Sequence, residues 1–133
     1  MIKMETKVVF DFADAISNAD VDRIYSLITP DHQFIDSQGN KMEGRENMKQ
    51  AWTEYFKWFP DYKIEIEEIF EKDTSICIFG HASATYKNLH NNDNSNHWRV
   101  PAAWKAIIQD HQVKLWQVYA DNIIVMDIIN RNK

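Results

Sequence analysis

From His97 to Asp121 the chain alternates in a way that leaves few folds open. Two runs, His97 to Gln109 and Gln112 to Asp121, read as strands joined by the short Asp110-His111 turn. The first sets Ala102, Trp104 and Ala106 against Ala103 and Ile107. The second sets Leu115 and Tyr119 against Trp116 and Val118. A sheet that is apolar on both faces is buried on both faces. Helices can cover one face, and a second subunit is the simplest cover for the other. The expectation is a homodimer through the outer sheet face, with Trp104, Leu115 and Tyr119 in the interface.

The upstream sequence supplies the helices. Val8, Val9, Phe12, Ala13 and Ile16 recur at helical spacing between Glu5 and Ser17. Asn18 and Asp20 stop that helix and can cap a second, short one marked by Val21, Ile24, Tyr25 and Ile28. Thr29-Pro30 is expected to end it, because a residue before proline is pushed out of the α region. His32 to Ser37 reads as a first strand, with His32, Phe34 and Asp36 on one face. Gly44-Arg45-Glu46 opens a third helix carrying Met48, Trp52, Tyr55, Phe56 and Phe59 on one side. Two further strands follow, from Tyr62 to Phe70 and from Thr74 to Tyr86, with a polar loop over 87–96. The tail from Ile123 to Ile129 fits helix or strand equally. Helices gathered in the first half and strands in the second indicate an α+β class.

Composition narrows what such a domain can do. The length of 133 residues suits one domain, 1–133. Aromatic residues make up 13% and include five Trp, more indole than a core this small requires. Each buried Trp also needs a partner for its N–H, which points to a pocket or an interface. A net charge of -5 with scattered Lys and Arg argues against nucleic-acid binding. Cys77 is the sole cysteine, so no intrachain disulfide forms, and its place in an apolar run reads as a small buried hydrophobe. The first 22 residues lack the apolar core of a signal peptide, and no stretch is long enough to span a membrane. Cytoplasm is the expected location. His81, His90, His97 and His111 show no metal-ligand pairing, and Gly39 and Gly44 make no phosphate-binding loop, so neither metal nor cofactor is expected.

The stretch Asp31-His32-Gln33-Phe34-Ile35-Asp36-Ser37-Gln38-Gly39, followed by Gly44-Arg45-Glu46, resembles the nuclear transport factor 2-like superfamily. Trp98-Arg99-Val100-Pro101-Ala102-Ala103-Trp104 and Trp116-Gln117-Val118-Tyr119-Ala120-Asp121 are similar to its SnoaL-like, ketosteroid-isomerase-like branch. The resemblance implies a cone-shaped, strongly bent, antiparallel-rich sheet that encloses a pocket together with three helices from the N-terminal half. It also implies dimers through the outer sheet face. Asp36 matches the position of the general base in ketosteroid isomerases. Phe12 and Ala103 stand where those enzymes place their two oxyanion donors, and neither side chain can donate, which argues against steroid isomerase activity. Asp121 lies near the acid of SnoaL-like cyclases, shifted by one residue.

Two roles for Asp36 remain open. In an apolar lining of Phe12, Phe34, Trp52 and Phe56 it would serve as a proton-abstracting base on a hydrophobic substrate. Alternatively it is an Asx-type turn residue that holds the Ser37-Gln38-Gly39 bend. His32, four residues away on the strand, is too distant to form a dyad with Asp36 and is expected deep in the pocket or satisfied by a core partner. Substrate contacts are expected from Phe12, His32, Phe34, Trp52, Tyr55, Phe56 and Trp116. A polar donor across the pocket from Asp36, with Tyr55, the Trp116 N–H and Lys105 as candidates, would favour catalysis. The function expected is that of a small-molecule pocket protein, either a cofactor-independent isomerase or cyclase or a non-catalytic module that binds an apolar ligand or dimerises.

Overall fold

The computed structural model describes residues 3–87 and 94–133. The elements run in the order α1 (Met4–Ser17), α2 (Val21–Ser26), β1 (Ile28–Ile35), β2 (Lys41–Glu43), α3 (Arg45–Trp58), β3 (Lys63–Lys72), β4 (Ser75–Thr85), β5 (His97–Gln109), β6 (Gln112–Ala120) and α4 (Ile123–Arg131), with a short 3-10 turn at Asn94–Asn96. The strands form a six-stranded sheet in the order β2-β1-β6-β5-β4-β3. β1 runs parallel to β6 and every other pair is antiparallel.

The sheet curls because its long strands are bent by extra residues. β3 bulges between Ile66 and Glu68, where it pairs with Gly80 and Phe79 of β4. A bulge bends its strand and increases the local twist. Gly80 makes the bend possible: a Cβ there would lie 1.7 Å from the Glu65 carbonyl oxygen. A second register shift falls at Ile107/Ile108, between β5 and β6.

α1 buries Val8, Val9, Phe12, Ala13, Ala15 and Ile16, and α3 buries Met48, Trp52 and Phe56. α1 packs on β3, β4, β5 and β6, and α3 on β1 and β2. The inner sheet face they cover holds Ile76, Ile78, Trp98, Val100, Trp104, Ala106 and Trp116. His32 joins this core and is 1% exposed.

Two expectations, for Thr29-Pro30 and for Trp104, are corrected, and two stretches the sequence leaves open take definite form. β1 begins at Ile28, so Thr29-Pro30 lies inside a strand rather than at a helix end. Pro30 has no N–H to give, and the β1–β6 ladder is interrupted between Ile28 and Gln33. The short strand β2, exposed throughout, was not expected. The ambiguous tail is the helix α4, which buries Val125 and Ile128. Trp104 is not on the outer face: it pairs with Val118, stacks on Trp116 and is 1% exposed. Leu115 and Tyr119 do face outward, opposite Ile107 and Ala103. The expected polar loop over 87–96 falls largely outside the described residues. Among those residues, no helix is long and apolar enough to cross a membrane.

Candidate functional site

Between α3 and the concave sheet face lies a cavity of about 330 Å³. β1 contributes Phe34, and Asp36 and Ser37 follow at its end. β2 contributes Met42. α3 contributes Met48, Ala51, Trp52 and Tyr55 at helical spacing, and Tyr62 follows it. The sheet supplies Ala82, Trp98, Val100, Trp116, Val118 and Ala120, and Asn122 closes the ring. The sheet residues share one face because alternate side chains along a strand point the same way. Exposed Met42 and half-buried Asp36 and Ser37 mark the open side. A second depression, lined by Glu5, Asp110, His111 and Lys114 among others, lacks the aromatic wall.

The rings around the cavity form a connected set. Phe34 meets Trp52 edge-on at 6.0 Å, and Trp52 meets Tyr55 at 5.7 Å. Tyr55 meets Tyr62 at 5.4 Å, and Tyr62 meets Trp98 at 6.2 Å. Burial pushes the Tyr55 hydroxyl well above its ordinary value of 10.0, and neighbouring Tyr62 adds to the shift. Burial likewise raises Tyr62, which the Trp104 indole opposes in small part. Both phenols therefore stay protonated across the physiological range.

Asp36 lines the cavity, but its carboxylate is engaged by the turn. Its Oδ1 accepts from the backbone N–H groups of Gln38 and Asn40, both at 2.9 Å, and its Oδ2 accepts from Asn40 Nδ2 at 3.1 Å. The Gly39 N–H bonds back to the Asp36 carbonyl at 3.0 Å, and Gly39 takes a φ of 86°, which a side chain would disfavour. Next to it, Asn122 Nδ2 donates to Ser37 Oγ at 2.5 Å and ties the end of β1 to the start of α4. Among the described residues neither Lys, Arg nor His lines the cavity, and Asp36 is the one acidic side chain that does.

The residues expected at the site divide. Phe34, Trp52, Tyr55, Trp116 and Asp36 line one cavity. Phe12 does not: it is fully buried and packs edge-on against Trp116 at 4.8 Å, one ring removed. Phe56 stacks on Trp52 from the core side. His32 has a core partner, donating from Nδ1 to the Val113 carbonyl at 2.7 Å. Burial lowers its imidazole below the ordinary 6.5, against the pull of that carbonyl and of Asp31. Lys105 and Ala103 are on the outer face. Asp121 is exposed, and its Oδ1 accepts from the Ile123 N–H at 3.0 Å, just before α4. Sequence reasoning missed Tyr62, Trp98 and Asn122. For Trp98 the signal was its parity with Val100, Ala102 and Trp104 in β5.

A curled mixed sheet with helices on its concave side and an aromatic cavity between them defines a class of α+β pocket folds, the nuclear transport factor 2-like class. Within it, the model of the SnoaL-like domain matches residues 9–124, and the chain belongs to that family. No curated protein gave a significant match. Among solved structures, a candidate SnoaL-like polyketide cyclase from Shewanella denitrificans OS-217 is similar with a TM-score of 0.83 and 11% identity, covering 98% of this chain and 99% of its own. A ketosteroid isomerase-like fold from Catenulispora acidiphila DSM 44928, in complex with trimethylamine, has a TM-score of 0.79 and 16% identity over 91% and 90% of the two chains. An LEH-like epoxide hydrolase of M. tuberculosis has a TM-score of 0.78 and 13% identity over 97% and 91%. At these identities the likeness establishes the fold.

Proposed function

We propose that the chain binds an apolar small molecule in the cavity between α3 and the concave sheet face. One observation carries the reading. An aromatic wall of Phe34, Trp52, Tyr55, Tyr62, Trp98 and Trp116 surrounds about 330 Å³, at the small end of the ~300–1,000 Å³ typical of small-molecule sites. The polyketide cyclase and epoxide hydrolase names among the similar folds fit a small-molecule pocket. A second reading, isomerase or cyclase chemistry with Asp36 as general base, draws on the carboxylate's contact with the cavity. Against it stand the donors that occupy both carboxylate oxygens. Binding is therefore the favoured reading.

The test is a titration with N-phenyl-1-naphthylamine, a neutral dye that brightens in apolar surroundings, followed by Trp emission and dye fluorescence. Ala82→Leu places a branched side chain on the β4 wall of the cavity. The wild type should bind the dye saturably and a folded Ala82→Leu variant should not. Equal binding by both proteins would move the site elsewhere.

The outer sheet face is proposed to pair with a second copy. Phe79, Ala103 and Tyr119 form a cross-strand row on it, and Phe70 meets Phe79 edge-on at 5.8 Å. Phe70, Phe79 and Tyr119 are all exposed in the single chain. Contiguous exposed aromatic surface of this kind marks interaction faces.

A further inference from the structure

The polar groups that line the cavity fall into two sets. Asp36, Ser37 and Asn122 are bonded to the β1–β2 turn or to one another. Tyr55, Tyr62 and Trp98 are different. They form a continuous chain of ring contacts, and their donors are unspent. The Tyr55 hydroxyl has no hydrogen-bond partner among the described residues. Trp98 is 5% exposed and its Nε1–H is buried without a partner. The neighbour of the Tyr62 hydroxyl is the Trp104 indole N–H, which is directed at it but short of a well-formed bond. An indole N–H only donates, so the Tyr62 proton is left for another acceptor. Buried donors are almost always paired, and an unpaired one is costly. Tyr55 and Tyr62 both line the cavity, and their phenol protons find no acceptor among the described residues.

We propose that Tyr55 and Tyr62 form an acceptor-oxygen subsite that holds a neutral carbonyl oxygen of a ring-bearing ligand. The proposal rests on the cavity being a ligand site, as above. A neutral oxygen fits better than a carboxylate or phosphate, because no cationic side chain among the described residues lines the cavity and the Asp36 carboxylate shares it. The elevated pKa values of both tyrosines keep them as donors rather than phenolates. The apolar remainder of the ligand would lie against Phe34, Trp52 and Trp116.

The experiment compares 1-tetralone with tetralin, the same fused rings with and without a carbonyl, by displacement of N-phenyl-1-naphthylamine. In the wild type the ketone should bind about tenfold tighter or more, since tetralin leaves the donors unpaired. Tyr55→Phe and Tyr62→Phe, which remove only a hydroxyl, should each reduce that preference about threefold while leaving tetralin affinity nearly unchanged. The infrared carbonyl stretch of bound 1-tetralone should sit below its value in hexane and return toward it in each variant. Equal affinities for the two probes in the wild type would overturn the subsite while leaving the pocket intact. A full ketone preference in both variants would also overturn it. Failure of both probes and of the dye to bind would overturn the pocket and the subsite together.

Discussion

Replacing Asp36 separates a turn residue from a catalytic base. Its Oδ1 takes two backbone N–H groups at 2.9 Å and its Oδ2 takes the Asn40 amide at 3.1 Å. The turn is half-exposed, so water replaces part of what is lost, and each bond is worth the lower end of the usual ~0.5–1.5 kcal/mol. Asp36→Ala should therefore cost about 1–2 kcal/mol, in line with the loss of a side-chain cap. For a chain of this size that is a fall in Tm of roughly 3–10 °C. Asp36→Asn keeps an oxygen for the two backbone groups and loses only the arm to Asn40, so it should cost less than half as much. Urea unfolding at neutral pH, followed by Trp emission, measures both. The reasoning fails if Asp36→Ala is neutral or stabilising there. That result would mean the carboxylate is held in the apolar lining at a cost, the condition expected of a base, and would revive the catalytic reading.

Three further outcomes follow from the same geometry. Gly80→Ala drives a Cβ into the Glu65 carbonyl, 1.7 Å away, so it should destabilise the fold by about 3 kcal/mol or more, or prevent soluble expression; a melt within about 1 °C of wild type would contradict the close approach. His32 has a folded pKa below its unfolded one, so the unfolded chain binds the extra proton; stability should hold above about pH 6.5 and fall as pH drops from there through the lowered folded value. His32→Asn, although less stable overall, should lose that part of the acid sensitivity, which melts between pH 5 and 7.5 would register. Light scattering at micromolar concentration should give twice the monomer mass, and Tyr119→Glu should give the monomer; a monomeric wild type would leave the outer face without its proposed partner.

Much of the fold was legible because periodicity is a physical signal. α1 and α3 follow from apolar spacing, and the second half from alternation. What was lost was register. Two-sided apolarity puts Trp104 on the outer face with Leu115 and Tyr119, yet the even positions of β5 run Trp98, Val100, Ala102, Trp104, Ala106, Ile108 and are all buried. The odd positions include His97, Arg99, Lys105 and Gln109. Parity read over the whole strand would have turned Trp104 inward. It is the pairing of Trp104 with Val118 that separates it from Tyr119, and pairing is not visible in either strand alone. β2 is three exposed residues with no pattern to find. Pro30 obscured the start of β1, because a ladder that tolerates a proline through a break in register looks like a helix stop.

The site was legible in part. Helical spacing in α3 reveals Trp52 and Tyr55, and strand parity along β1 and just beyond it reveals Phe34 and Asp36. Phe12 and Phe56 lie on the same elements yet sit behind the wall, since helical spacing identifies an inward face without separating its cavity side from its core side. Tyr62 and Trp98 come together only through the curl of the sheet, which brings β5 against the residues after α3. Both role assignments for Asp36 were available in the sequence. The hydrogen bonds to Gln38 and Asn40 are those of the turn role, while the base role rests on the residue's place in the cavity lining.

The central claim is that the aromatic cavity is the ligand site, and a crystal structure of the protein soaked with N-phenyl-1-naphthylamine tests it most directly. Density for the dye is expected among Phe34, Trp52, Tyr62 and Trp116, with the outer sheet face free of it. Density on the exposed Phe70, Phe79 and Tyr119 surface, with the cavity empty, would contradict it.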